Sequence, residues 1–539
     1  MTKYPNQFFA IVLALGLIFD FLFWGQFVGA NFAIFVSLCL LGGFYLLLSN
    51  GKKPARQSLW VIAALVFFAV TTFSRQEPLT LFLAYGFTLF LMLVLAVTYL
   101  GGRWMQYSLL DYFSKFFLML INLIDLPLVF LKQVREERAE RVGTQQKLPI
   151  MPVLRGLLIA LPVVAFFTVL LASADVVFNQ KLAEFFGIFR VENGGDYLVR
   201  LLVILFLSYV LAGVFLHAGI KSEDEKLIGE DKPFVPPFLG FTESAIVLGS
   251  VVVLFLLFVV VQFRYFFGGN LNIGVEGYTY SQYARSGFNE LVSVAFFSLV
   301  MVLGLSTITR REAAMQRRIY SGLSIVLVAL VMIILISAYQ RLALAIDWHG
   351  FSRLRFYPQV FLIWLGILLI AVVVLEFLRQ ERYFAFAAVL ASIGFGVSLG
   401  MFNVDDAIVR HNVLRASQGR HFNVSHLATL SPDAVPALVD EFLNPSLSVA
   451  IHDGIGAALL CHRQSNAIVN APDDWRSFNL SVSNAKRALD RVKNQLESYH
   501  VNKDDNLMRI RTSENVWYEC FVSGRMRIDG VYIPSSAVR

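Results

Sequence analysis

Apolar residues in this chain come in long unbroken runs separated by short polar connections, with neither the alternation of a half-buried strand nor the single stripe of a soluble helix. Eleven runs fall in the range of about 17–25 residues that crosses a bilayer as a helix. They cover residues 8–24, 28–49, 58–74, 79–100, 156–177, 197–217, 244–264, 290–309, 319–340, 358–378 and 383–401. The first begins after Lys3 and reads as an uncleaved span rather than a removable leader. It is longer than the roughly 7–15 apolar residues of a leader, and Asp20 sits inside it. After residue 401 the runs stop, which divides the chain into a polytopic transmembrane domain, 1–401, and a soluble domain, 402–539.

Composition agrees with the pattern. Of 539 residues 57% are hydrophobic and 15% charged, with a mean hydropathy of +0.65, against about 25% charged in ordinary soluble chains. A solvated cytosolic enzyme is therefore excluded. The net charge of +7 belongs wholly to the membrane part, because residues 402–539 hold 15 basic and 15 acidic side chains. Those basic residues lie between apolar runs, so they read as topology signals rather than as a nucleic-acid surface. With the N-terminus inside, alternate connections hold 21 Lys and Arg on the inner side and nine on the outer. The positive-inside bias then places the N-terminus in the cytoplasm and, after eleven crossings, the C-terminal domain outside.

One stretch tests that parity. Phe116 to Leu131 is apolar but short and holds Asn122, Asp125 and Pro127, and a crossing there would expose the basic cluster Lys132–Arg155. Residues 105–134 are therefore expected to form an amphipathic helix in the inner interface, with a helix buried in the bundle as the alternative.

The tail reads as mostly helical. Expected helices are Asp405–Arg415, one starting at Ser431-Pro432-Asp433 before Leu438, Val439 and Phe442, another over Ile451–Cys461, and one over Asn484–Tyr499 capped by Ser481 or Ser483. Val516–Ile533 reads as a small hairpin. Cys461 and Cys520 are the two cysteines of the tail, and an oxidising compartment would pair them; two separate buried thiols are the alternative.

Chemistry-bearing motifs are missing: no phosphate-cradling loop, zinc helix, nucleophile elbow or paired Cys-x-x-Cys occurs. Six of eight histidines lie in the tail at irregular spacing, so neither a metal nor a cofactor is expected and no catalytic residue is assigned. The informative polar residues belong to the outer halves of the spans. Asp20, Arg264, Glu290 and Arg341 share a depth, and charge in lipid must face protein or water, which suggests an outward-facing polar pocket. Tyr283 and Arg285 precede Glu290 in the same segment, and Glu290 is expected to meet a cation on another helix. Arg353, in the connection Arg341–Pro358, could hold an anionic headgroup or a sugar. Simple ion pairs within the bundle, and a loop anchored at the headgroups, are the structural alternatives.

The stretch Tyr283-Ala284-Arg285-Ser286-Gly287-Phe288-Asn289-Glu290-Leu291 resembles the signature of an uncharacterised family of bacterial polytopic membrane proteins, a domain of unknown function. Val404-Asp405-Asp406-Ala407-Ile408-Val409-Arg410-His411-Asn412 and Leu427 through Leu438 resemble it too. The resemblance implies a bacterial inner-membrane location and the polytopic architecture, but no activity. The sequence thus leads to an all-α membrane protein of about eleven transmembrane helices with a mainly helical extracytoplasmic C-terminal domain. Its expected role is non-enzymatic envelope binding, sensing or accessory work, with membrane lipids and an envelope protein or lipid headgroup as partners and no nucleic acid. A transporter or lipid-handling protein is the alternative, and an envelope enzyme acting on a lipid-linked substrate is less favoured.

Overall fold

The computed structural model describes residues 4–142, isolated positions between 160 and 178, and residues 194–223, 227, 236–267, 288–311, 313–469, 474–504, 507–512, 516–521 and 526–528. Among them the protein is helical apart from one small sheet, and ten helices are long and apolar enough to cross a membrane. The expected run 156–177 lies mainly outside the described residues. The expected span 58–74 is a helix of only 15 residues, Trp60–Ser74, short of the other spans, and Leu109–Glu137 is the tenth of the ten instead. The chain divides into two units, one made of Met1–Gln26, Ser37–Lys53 and Phe117–Lys221, the other of the remaining residues.

In the first unit α1 (Pro5–Phe23) and α6 (Gly194–Ile220) run antiparallel. Asp20, late in α1, meets Arg200 early in α6. Gly16 brings the backbones together, since a Cβ there would lie 2.8 Å from the Ile204 carbonyl oxygen. The second half of α5 (Leu109–Val142) touches this pair at one end. Gly213 sits against Leu123, Asn122 is 3.2 Å from His217, and Phe130 stacks edge-on against Phe8 at 5.0 Å. The Tyr209 hydroxyl donates to the Ile124 carbonyl at 2.5 Å, so residues 122–124 meet α6 at His217, Gly213 and Tyr209, about 12 Å of that helix at 1.5 Å per residue. Helix α5 is longer than the 105–134 expected and passes through Pro127, and its portion Leu109–Glu137 meets the length and hydropathy of a span. Its start is set in the second unit by a reciprocal cap, in which the Ser108 backbone donates to Asp111 at 2.8 Å and the Asp111 backbone donates to the Ser108 hydroxyl at 3.1 Å.

The second unit holds the hairpin α3 (Trp60–Ser74) and α4 (Pro78–Thr98), then α7 (Phe241–Phe267), α8 (Phe288–Ile308), α9 (Ala314–His349), α10 (Arg353–Leu378) and α11 (Phe384–Met401). Helix α2 (Ala30–Ser49) starts in this unit. Val259, Ala295, Leu299, Ile334, Ala338 and Leu365 form one buried cluster that joins α7 to α10. Helix α9 continues to His349, and Pro358 lies inside α10. Most of the expected connection Arg341–Pro358 is thus helical, leaving Gly350–Ser352 as the turn. Arg415 donates to the carbonyls of Asp347 and Trp348 at 2.6 and 3.2 Å, completing the end of α9.

The tail is built from α12 (Val404–Ser417), α13 (Val424–Ala428), α14 (Val435–Phe442), α15 (Val449–Arg463), α16 (Asn466–Val469), α17 (Leu480–Arg491) and α18 (Lys493–Leu496). The single long helix expected over Asn484–Tyr499 is two pieces broken at Val492, and its cap is Asn479, which accepts from the Val482 backbone. The expected hairpin is the second half of a four-stranded antiparallel meander, β1 (His500–Asp504), β2 (Leu507–Arg511), β3 (Trp517–Phe521) and β4 (Met526–Ile528). A disulfide joins Cys461 on α15 to Cys520 on β3, with Cα atoms 5.7 Å apart. Ile408, Leu427, Leu438, Ile455, Leu459, Val492 and Ile510 are buried together. Leu79, Leu83, Phe356 and Phe395 from the span ends pack on the same cluster, so the tail core continues into the ends of α4, α10 and α11. Each such Leu or Ile contributes about 1.5–3 kcal/mol by leaving water.

Candidate functional site

A cluster of charged side chains lies where the tail meets those ends. Between α3 and α4 stands Arg75-Gln76-Glu77-Pro78. Pro78 opens α4, where a missing N–H costs nothing, and Glu77 caps the helix by accepting from the Leu79 and Thr80 backbones at 3.0 and 2.7 Å and from the Thr80 hydroxyl at 2.6 Å. The Gln76 and Glu77 backbones donate in turn to Oδ2 of Asp433 at 2.7 and 2.8 Å. Asp433 belongs to the Ser431-Pro432-Asp433 turn that leads into α14.

Asp405, in the first turn of α12, is fully buried. It accepts from the Ser431 backbone at 2.8 Å and hydroxyl at 2.6 Å. It also accepts a two-pronged contact from Arg353, whose Nε lies 2.7 Å from Oδ1 and whose Nη2 meets Oδ2. The same Nε stands 4.0 Å from Glu77, and Tyr357, one turn further along α10, donates its hydroxyl to Glu77. Asn403 joins α12 to the Asp433 carbonyl at 3.0 Å, and Arg75 donates to the carbonyls of Gly400 and Met401 at 3.2 and 3.1 Å, satisfying the end of α11.

Two buried carboxylates, Asp405 and Glu77, therefore face one fork of guanidinium donors, and a third, Asp433, is tied to them through the Gln76 and Glu77 backbones and Ser431. Burial pushes Asp433 above the usual carboxylate range, opposed by the Gln76 N–H. Burial also holds His462 and His426 below the usual imidazole value, with Arg353 contributing in both cases. His462 Nε2 lies 3.0 Å from the Leu427 carbonyl, whereas Nε2 of His426 is buried without a hydrogen-bond partner. Among the described residues no three His, Cys, Asp or Glu side chains have metal-holding geometry. The lone pairs of the cluster are taken by fixed donors, so the arrangement fastens elements together.

A second feature lies wholly within the tail. Phe442, Asn444, His452, Asp453, Gln495 and Tyr499 border an open cleft of about 590 Å³. The His452 ring stacks on Phe442 at 4.2 Å and 22°. The Tyr499 hydroxyl donates to Asp453 at 3.2 Å and is held above the usual phenol value by burial and by that carboxylate. An aromatic floor beside a carboxylate and amides suits a small polar ring or an amine.

Of the residues expected to form a pocket, Arg353 reaches the cluster, and its fork is directed at Asp405 rather than at a loop ligand. Asp20 is held by Arg200 on α6, with Nε 3.0 Å from Oδ1 and the guanidinium 5.5 Å from the Trp24 ring. Glu290 is exposed in the first turn of α8, and Arg341 is half-buried on α9. Tyr283, Arg285 and the side chain of Arg264 lie outside the described residues. Glu77 and Tyr357 were not anticipated. Asp405, Ser431 and Asp433 were present in the two tail motifs but unread as a site.

These features define a helical, polytopic membrane protein whose tail is keyed into the ends of its helices. Residues 62–441 match the domain of unknown function DUF4153, and the chain belongs to that family. No curated protein and no solved structure matches it.

Proposed function

We propose that this chain is a non-enzymatic binding protein of the bacterial plasma membrane, which holds its tail outside the cell and presents the Phe442–Tyr499 cleft to an envelope component. The observation that carries this reading is the saturated joint. A transporter or enzyme keeps polar groups open to its substrate, whereas Arg353, Asp405, Glu77 and Asp433 spend theirs on fixing the tail. The ends of α3, α10 and α11 that meet the tail are those the basic-residue count assigns to the outer side. The tail disulfide fits an oxidising compartment, and the basic residues from Lys132 to Arg141 that follow the apolar part of α5 favour an interfacial α5.

The test is photo-crosslinking in intact cells from a reactive residue at Gln495, on the rim of the cleft. One discrete, light-dependent adduct is expected, weakened by His452→Ala and absent when the probe is moved to Arg509 on the sheet. Labelling no stronger than at Arg509 in normally abundant protein overturns the reading.

A further inference from the structure

At the end of the second unit away from the tail, the last turn of α8, the first turns of α9 and the last turn of α10 enclose a half-open cavity of about 620 Å³. Its charged lining consists, among the described residues, of Arg310, Arg311, Arg317, Arg379 and Glu376. Four guanidiniums against one carboxylate is an imbalance the cavity does not cure internally. Glu376 accepts from the Ser321 hydroxyl at 2.6 Å and stands 3.8 Å from Arg311, so its charge is already engaged.

Three of the arginines are partly engaged with backbone carbonyls, one of them in the last turn of α8. Arg310 Nε donates to the Pro237 carbonyl at 2.7 Å, Arg311 Nη2 to Ser306 at 2.6 Å, and Arg317 Nε to the Arg311 carbonyl at 2.8 Å. Each of these contacts uses one of five N–H donors. In Arg310 and Arg317 the bond comes from Nε, which fixes the planar group and leaves the terminal nitrogens as the free end of the fork. Arg311 is further fixed over the Tyr320 ring at 4.6 Å and is only 15% exposed. Such carbonyl contacts alone do not call for a cavity between the arginines. Preset planar donors around a half-enclosed space match the geometry of phosphoryl oxygens, and basic pockets between spanning helices are where phospholipid headgroups bind.

We propose that this cavity is a binding site for a phosphoryl anion, with Arg310, Arg317 and Arg379 as its ligands and Arg311 as a fixed wall. The site lies roughly 35–40 Å from Arg353, the length of α10 at 1.5 Å per residue, and its occupancy is independent of what the tail binds.

The whole chain in phosphatidylcholine nanodiscs, with and without added cardiolipin, tests this by native mass spectrometry and thermal unfolding, with inorganic phosphate titrated into the neutral discs. Retained cardiolipin that phosphate fails to displace identifies a headgroup. A phosphate-dependent rise in Tm in neutral discs identifies a soluble anion. Either effect should fall at least tenfold in Arg317→Gln/Arg379→Gln and recover in part in the corresponding Lys variants, with the anion-free Tm unchanged. Neither anion binding to the wild-type chain, or equal binding to the folded Gln variant, overturns the proposal.

Discussion

Arg353 compensates two buried carboxylates, Asp405 directly and Glu77 at 4.0 Å. Removing it strands charge, which is far costlier than removing the pair. Arg353→Met should destabilise the tail by about 3–5 kcal/mol, and adding Asp405→Asn should restore part of that; a double variant at least as unstable as the single would contradict the pairing. Protonation adds a second prediction at this scale. Buried His462 titrates below its ordinary 6.5, so on acidification the unfolded chain takes up the proton first. Its contribution is full above the unfolded value and is lost as pH falls from there toward the depressed folded value, at up to about 1.4 kcal/mol per pH unit. Asp433, raised by burial, works in the opposite sense, and comparing the pH dependence of Tm for the wild type and His462→Gln separates the two. The slope between pH 7 and 5 should flatten in the variant, and parallel slopes would remove His462 from the account.

Element by element, the sequence was most legible where one force dominates. Ten of the apolar runs are helices because an unpaired backbone cannot face lipid, and the tail helices from Val404 and Val435 start where Asn403 and Ser431-Pro432-Asp433 supply caps. Legibility failed where partners are remote in sequence. Glu77 looks like a loop residue until α10 and α12 arrive some 280 and 330 positions later, and Leu507–Arg511 reads as a strand only once Trp517–Phe521 lies beside it. Arg200, likewise, carries no mark in the sequence, 180 positions from Asp20, of being its partner. Close helix approaches are also invisible in a pattern. A Cβ on Gly213 would fall 2.7 Å from the Leu123 Cα and 2.8 Å from its carbonyl oxygen, backbone atoms that cannot step aside, whereas Gly249 on α7 has open space. Gly213→Val should therefore cost about 1–3 kcal/mol by forcing α5 off α6, while Gly249→Ala should be neutral or gain up to about 1 kcal/mol of helix propensity. Detergent melting curves decide it, and equal tolerance at both sites would place α5 elsewhere.

For the whole molecule, the compartment of the tail depends on whether α5 crosses. Length and hydropathy allow Leu109–Glu137 to span, but charge argues against it: a crossing would carry Arg135, Arg138 and Arg141 to the side that basic residues otherwise avoid. If α5 lies in the interface, alkaline phosphatase joined after Arg539 should be active, the same reporter joined after Arg141 should be inactive, and a cytoplasm-dependent fluorescent reporter should show the reverse at both positions. An active fusion at Arg141 with a silent, stably made fusion at Arg539 would establish α5 as a span. It would also return the tail, with its disulfide and its cleft, to the reducing side, and the envelope reading would fall with it.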